Sequence, residues 1–285
     1  MKILKKRVYS FVVAFIVAIS VLFSSGIIFC NVAFAATNSD YAYKYYYSQI
    51  ENNEMAKKFY TAFENLLNSG AFKKGKIQYD LISNKIVTQN EVDAYVNGVD
   101  NNRLTKAYGI GRDAFYMDHP DLFYADVFST SISAGGKNGK NVAYLDSSRV
   151  LTMYNGSINS ESAVNNAIER YNNEIATIVT EAQKKSSIVE KIEYVNTYIS
   201  QHNTYGFGTK VEGDRNVDTD KVGYIHSAYG ALVNNESVCE GYAKSFKAVM
   251  DRLNIPCVCV QGYADGSKDG NYEPHMWNYV QVDGM

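Results

Sequence analysis

The stretch Val238-Cys239-Glu240-Gly241-Tyr242-Ala243-Lys244-Ser245-Phe246-Lys247-Ala248-Val249-Met250-Asp251-Arg252-Leu253 decides the reading of this sequence. Tyr242, Phe246, Val249 and Leu253 recur at helical spacing, so they mark one apolar face of a helix over Val238 to Leu253. Asn254-Ile255-Pro256 ends it. Cys239 then falls in the first turn, where unpaired backbone N–H groups and the positive end of the helix dipole favour thiolate over thiol. The same N–H groups are placed to hold an oxyanion. Ser237 is the expected cap. Glu240 is expected to be exposed, suited to the dipole. Gly241 is expected to permit close packing.

Downstream, Cys257 to Gln261 reads as a strand, Gly262 to Asn271 as a turn-rich loop, His275 to Val282 as a second strand, and Asp283-Gly284 as a hairpin turn. A nucleophilic thiolate needs a base beside it. Of the histidines His119, His202, His226 and His275, the last opens a strand expected to pair beside the strand after the cysteine helix. A helix packed on that sheet brings its N-terminus near the strand end, which makes His275 the best partner for Cys239. Trp277 and Tyr279 share the His275 face by alternation, as cleft wall or as packing. Asn278 faces the other way and is read as structural. Cys257 and Cys259 share a strand face and read as small buried residues.

A cysteine at a helix start is by itself commonly a packing residue, and the surrounding residues change that reading. Val238-Cys239-Glu240-Gly241-Tyr242-Ala243, followed 36 residues after the cysteine by His275-Met276-Trp277-Asn278, resembles the transglutaminase-like superfamily. Tyr229-Gly230-Ala231-Leu232-Val233 and Ile255-Pro256 resemble its bacterial branch as well, and Asp118-His119-Pro120-Asp121-Leu122-Phe123-Tyr124 is similar to a segment upstream of the core in some members. The resemblance implies a papain-like core with Cys239 as nucleophile and His275 as base. It also implies an Asp on the strand after the histidine strand, further along than this sequence runs, so the core is expected to be incomplete at its C-terminus. Tyr229 is a candidate second oxyanion donor.

Upstream, helices are expected over Ser39 to Asn68, from Gln89 to Val96 and over Asn101 to Met117, the last stopped by Asp118-His119-Pro120. Ile77 to Val87 reads as extended. Leu122 to Asp146 reads as a hairpin turning at Asn138-Gly139, with a further strand at Val150 to Tyr154. Helices follow from Ser160 to about Gln183 and from Ile188 to His202. Ser227 to Val233 reads as a short helix, Asn234 to Ser237 as a turn, and the polar stretch Asn203 to Asp220 as a loop. The expected fold class is α+β: residues 1–35 a signal peptide, 36–185 a mainly helical N-terminal region, and 186–285 the transglutaminase-like core, its cysteine helix packed on an antiparallel sheet.

Lys2, Lys5, Lys6 and Arg7 precede an apolar run densest from Phe11 to Phe23, and Ala33-Phe34-Ala35 is a small-x-small cleavage signature. Together they predict a secretory signal peptide, with an uncleaved anchor as the alternative. Removing it takes four cations and no acids, moving the net charge from −2 to −6. With no long basic run, nucleic acid is not an expected partner. Three cysteines remain, with no C-x-x-C pair and no disulfide framework. Asp265-Gly266-Ser267-Lys268-Asp269-Gly270 faintly resembles a calcium loop, but Met276 stands where its bidentate acid belongs. No metal and no cofactor are expected.

The expected function is exported, cysteine-dependent acyl transfer on a peptide or protein substrate, such as a cell-wall or surface protein, by hydrolysis or cross-linking. The alternative is a surface or binding module that keeps the fold without catalysis. The expected location is secreted or at the cell surface, with membrane contact only through the leader.

Overall fold

The computed structural model describes residues 44–147, 158, 160–206, 224–265 and 270–282. The expected leader, the strand at Val150 to Tyr154, the Asp283-Gly284 turn and most of the polar stretch from Asn203 to Asp220 lie outside them, as do residues 266–269.

The first expected helix is two: α1 (Tyr45–Gln49) and α2 (Glu54–Asn68). Asn53 makes the break, because its side chain accepts from the Ala56 N–H at 3.0 Å and so starts a new helix. Helix α2 ends before Gly70, whose φ of 70° is open to glycine at little cost. The stretch Ile77 to Val87 is extended only over β1 (Ile77–Asp80), then turns. Helix α3 (Gln89–Val96) begins with a capping box between Thr88 and Glu91. Helix α4 (Arg103–Asp118) stops two residues before Pro120. It crosses α2 so closely that a Cβ on Gly111 would lie 2.9 Å from Phe59 Cβ.

Strands β2 (Ser131–Lys137) and β3 (Lys140–Ser147) form the expected hairpin, and β3 also pairs with β1, giving the antiparallel order β1-β3-β2. The turn residues Asn138 and Gly139 have φ of 50° and 76°. Positive values at both suit a two-residue hairpin turn and explain the Asn-Gly choice.

Helices α5 (Glu161–Gln183) and α6 (Ile188–His202) are separated by the Ser186-Ser187 break, and Ser187 forms a capping box with Glu190. Strand β4 (Thr204–Tyr205), inside the expected loop, pairs in parallel with β5 (Glu236–Ser237), inside the expected turn. The short helix expected over Ser227 to Val233 is present, as a π-helix over Gly230–Asn234 closed by Asn235 at φ 58°. Helix α7 (Cys239–Arg252) then packs on the antiparallel pair β6 (Cys257–Ala264) and β7 (Glu273–Val280). Strand β6 runs three residues past its expected end, through Gly262, because β7 pairs with it as far as Ala264↔Glu273.

The fold is thus α+β. Its main apolar core takes Phe59 and Phe63 from α2, Phe115 from α4, Tyr171 and Ile175 from α5, Val195 and Ile199 from α6, Val249 and Met250 from α7, and Cys257 from β6. Each large apolar side chain fully withdrawn from water contributes about 1.5–3 kcal/mol. This core fixes α7, and with it the position of Cys239. No helix among the described residues is long and apolar enough to cross a membrane.

Candidate active site

Cys239 is the first residue of α7 and is partly exposed, whereas Cys257 and Cys259 are buried. Val238 precedes the helix without a side-chain cap. Ser237 does not cap it: its buried hydroxyl accepts from the Asn203 amide at 2.7 Å. The helix start is anchored through backbone instead, with Val238 N–H donating to Ile225 C=O at 2.9 Å. Gly241 makes this anchoring possible. A Cβ there would lie 2.5 Å from Ser237 Cβ, 2.7 Å from Ile225 O and 2.9 Å from Ser227 O.

His275 reaches Cys239 from β7, and the imidazole and the thiol hydrogen-bond each other. The Met276 N–H, one residue along the same strand, also donates to the sulfur. Burial pushes the Cys239 thiol up. The His275 hydrogen bond, the Met276 N–H, the imidazole charge and the Tyr205 hydroxyl together outweigh it and hold the thiol below its ordinary range. The hydrogen bond to Cys239 holds His275 above its ordinary value, against desolvation. Both shifts favour a thiolate beside an imidazolium. The other two thiols are of the opposite kind. Burial raises Cys259 to about 12 and Cys257 well above the usual thiol range.

Strand alternation sorts the neighbours of His275. The Trp277 ring stacks beside the imidazole with centroids 6.5 Å apart. Its indole lies across Gly262, which is paired opposite His275, and a Cβ on that glycine would lie 2.5 Å from the ring. Tyr279 is half-exposed on the same side. On the other face Asn278 donates its amide to Ala243 C=O of α7 at 2.9 Å, tying the histidine strand to the cysteine helix.

Sequence reasoning missed Tyr205. Its hydroxyl accepts the Cys239 N–H at 3.3 Å and also hydrogen-bonds the Cys239 sulfur. Its ring stacks on Tyr242 at a centroid distance of 6.0 Å. The only signal was an aromatic residue opening an otherwise polar stretch. Tyr229, by contrast, is buried in the aromatic core against Phe123 and Tyr224.

Glu240 is not the exposed residue the sequence suggested. Its carboxylate receives the Tyr116 hydroxyl from α4, lies 3.0 Å from Lys244 Nζ and meets His226 Nδ1 at 3.1 Å. Lys244 in turn sits 3.5 Å above the Tyr116 ring. Burial pushes Glu240 up, but His226, Lys244 and Tyr116 bring it down to about 2. His226, half-exposed, is raised chiefly by its hydrogen bond to Glu240. His119 plays no part in the site. Burial drives it down to about 3, and its neighbour Asp118 accepts from the Tyr46 and Tyr47 N–H groups and from Tyr60 Oη. His202 stacks on Tyr198. Among the described residues no cluster of three or more His, Cys, Asp or Glu is placed to hold a metal ion.

Cys239 at the start of α7 thus faces the imidazole of His275 on β7. Residues 173–285 match the family model of the transglutaminase-like superfamily. No curated protein sequence matches the chain. Among solved structures, it overlaps a TGase at 17% identity and TM-score 0.34, covering 54% of this chain and 42% of that one. It also overlaps a candidate cysteine protease from Cytophaga hutchinsonii at 14% identity and TM-score 0.31, covering 54% of this chain and 59% of that one. The chain therefore spans about half the length of these relatives.

Proposed function

We propose that the chain is an exported cysteine-dependent acyl-transfer enzyme acting on peptide or protein amides. The observation that carries this reading is the hydrogen-bonded Cys239–His275 pair at the start of α7. The Cys239 thiolate attacks the carboxamide carbon, a C–S bond forms, and the carbonyl π pair moves onto oxygen. The first-turn N–H groups face that developing charge. His275 gives its proton to the leaving amine as the C–N bond breaks, leaving a thioester. His275 then takes a proton from water or from a second amine as that nucleophile releases the acyl group. Water gives hydrolysis and an amine gives cross-linking.

Export rests on the charged start, apolar run and small-x-small site of residues 1–35. An exported enzyme of this chemistry meets wall and surface proteins as substrates. The test is covalent. The protein is incubated with p-nitrophenyl acetate, quenched in acid and mapped by mass spectrometry. An acetyl group on Cys239, absent in Cys239→Ala and strongly reduced in His275→Ala, supports the reading. Acetyl transfer to Cys239 that ignores His275, or none at all, refutes it.

A further inference from the structure

The segment that carries His226 is clamped to the first turn of α7. Val238 N–H donates to Ile225 C=O at 2.9 Å, and Gly241 admits the Ile225 and Ser227 carbonyls so closely that an added Cβ would lie 2.7 and 2.9 Å from them. His226 therefore projects from backbone fixed against the turn that holds Cys239. Its Nδ1 meets Glu240 Oε2 at 3.1 Å, which turns Nε2 away from that carboxylate. The side chain is 52% exposed, and Nε2 has no hydrogen-bond partner among the described residues. Glu240 is itself held by the Tyr116 hydroxyl and by Lys244, so it keeps the imidazole in one orientation.

The charges around the ring favour an anion on its free side. The groups that face the imidazole are Glu240, Lys244 and Cys239 from α7, with Tyr116 from α4 reaching it through Glu240. Lys244 already balances Glu240 at 3.0 Å, so a protonated His226 leaves this cluster one positive charge in excess. The Cys239–His275 pair adds no net charge to it. Glu273 of β7 is felt at Tyr205. From this geometry we propose that His226 is a specificity-determining residue: its outward Nε2–H receives a substrate carboxylate near the reacting carbonyl, so the enzyme prefers acidic peptides. The proposal rests on the acyl-transfer reading above. Loss of the ring proton removes the charge and, with the Nδ1–H kept by Glu240, the Nε2 donor as well. The preference is therefore present while His226 is protonated. It disappears as pH rises through the His226 titration, which the bond to Glu240 sets above the ordinary histidine value.

Two esters of one chain length separate this role from a structural one. p-Nitrophenyl hexanoate and mono-p-nitrophenyl adipate differ only in the carboxylate that ends the adipate chain. The measured quantity is the ratio of their acylation rates at Cys239, divided by the same ratio for free cysteine. Titration of the Cys239–His275 pair cancels in it. In wild type at about pH 6 the adipate ester should be favoured about fivefold, the size that a half-exposed ion pair supports. The preference should fall to about one by about pH 9, where the imidazole is neutral. His226→Gln, whose amide can still donate to Glu240, should show no preference at any pH while its rate with the hexanoate ester stays within about twofold of wild type. The wild-type pH profile is a second test that does not depend on how the variant folds. A preference absent from wild type, one unchanged up to about pH 9, or one that survives His226→Gln overturns the role of His226 and leaves the acyl-transfer reading standing. A wild-type protein that alkylates readily at Cys239 but is acylated by neither ester overturns both.

Discussion

Replacing Glu240 by Gln removes one charge from a half-hidden cluster, and the structure sets the size of the effect. The side chain is 18% exposed, and its carboxyl is held near 2 against an ordinary 4.5. Each pH unit between the two states is worth about 1.4 kcal/mol, so full ionisation favours the folded chain by about 3 kcal/mol. The folded value is depressed. The contribution is therefore complete above about 4.5 and disappears as pH falls through about 2. At pH 7 the variant should lose about 3 kcal/mol, or roughly 6–12 °C in melting temperature for a chain of this size. Lys244, nearly buried against the Tyr116 ring, is then left without its counter-charge, which adds to the loss. The assay is urea unfolding of both proteins at pH 7, 4.5 and 3. The gap between them should shrink to roughly half or less at pH 3. A gap that does not change with pH, or no gap at pH 7, would refute the reasoning.

Gly241→Ala should destabilise the chain by about 1–3 kcal/mol, since the added methyl meets Ser237 Cβ and two backbone carbonyls that cannot move away cheaply. Chemical denaturation measures this, and a neutral substitution would show that the helix start is not clamped as described. In a proton–carbon NMR titration the His119 imidazole should stay neutral from pH 8 down to about 4.5, because burial holds it near 3. Its neutrality supports the fold fully above the ordinary histidine value and is lost as pH falls toward 3. His226 should titrate above its ordinary value in wild type and drop back in Glu240→Gln. Coincident titration of the two rings would contradict both assignments.

Much of the framework was legible because local signals agreed with tertiary packing. Ile188, Ile192, Val195 and Ile199 announced α6, and the Ser187–Glu190 box fixed where it starts. Asn138-Gly139 announced the hairpin turn, and the helical face behind Cys239 placed the thiol at the start of α7. The misreadings arose where a residue answers to something distant in the chain. Glu240 looks like an exposed first-turn acid until Tyr116, 124 residues away, brings its hydroxyl to it. Gly262 looks like a strand breaker, but it leaves room for the Trp277 indole. Ser237 looks like a cap, but Asn203 claims its hydroxyl. Tyr205 reaches Cys239 across 34 residues, a contact no periodicity could announce. Asn53 was a local signal that went unread, since it sits inside an otherwise helical apolar pattern.

The central claim is that Cys239 and His275 form a thiolate–imidazolium pair. The most direct measurement is the rate of Cys239 alkylation by iodoacetamide against pH, in a Cys257→Ala/Cys259→Ala background, with and without His275→Ala. Labelling should be fast and persist below about pH 7, where an ordinary thiol of pKa about 8.5 is nearly inert. It should be lost in His275→Ala. A profile rising with an ordinary thiol pKa and indifferent to His275 would contradict it.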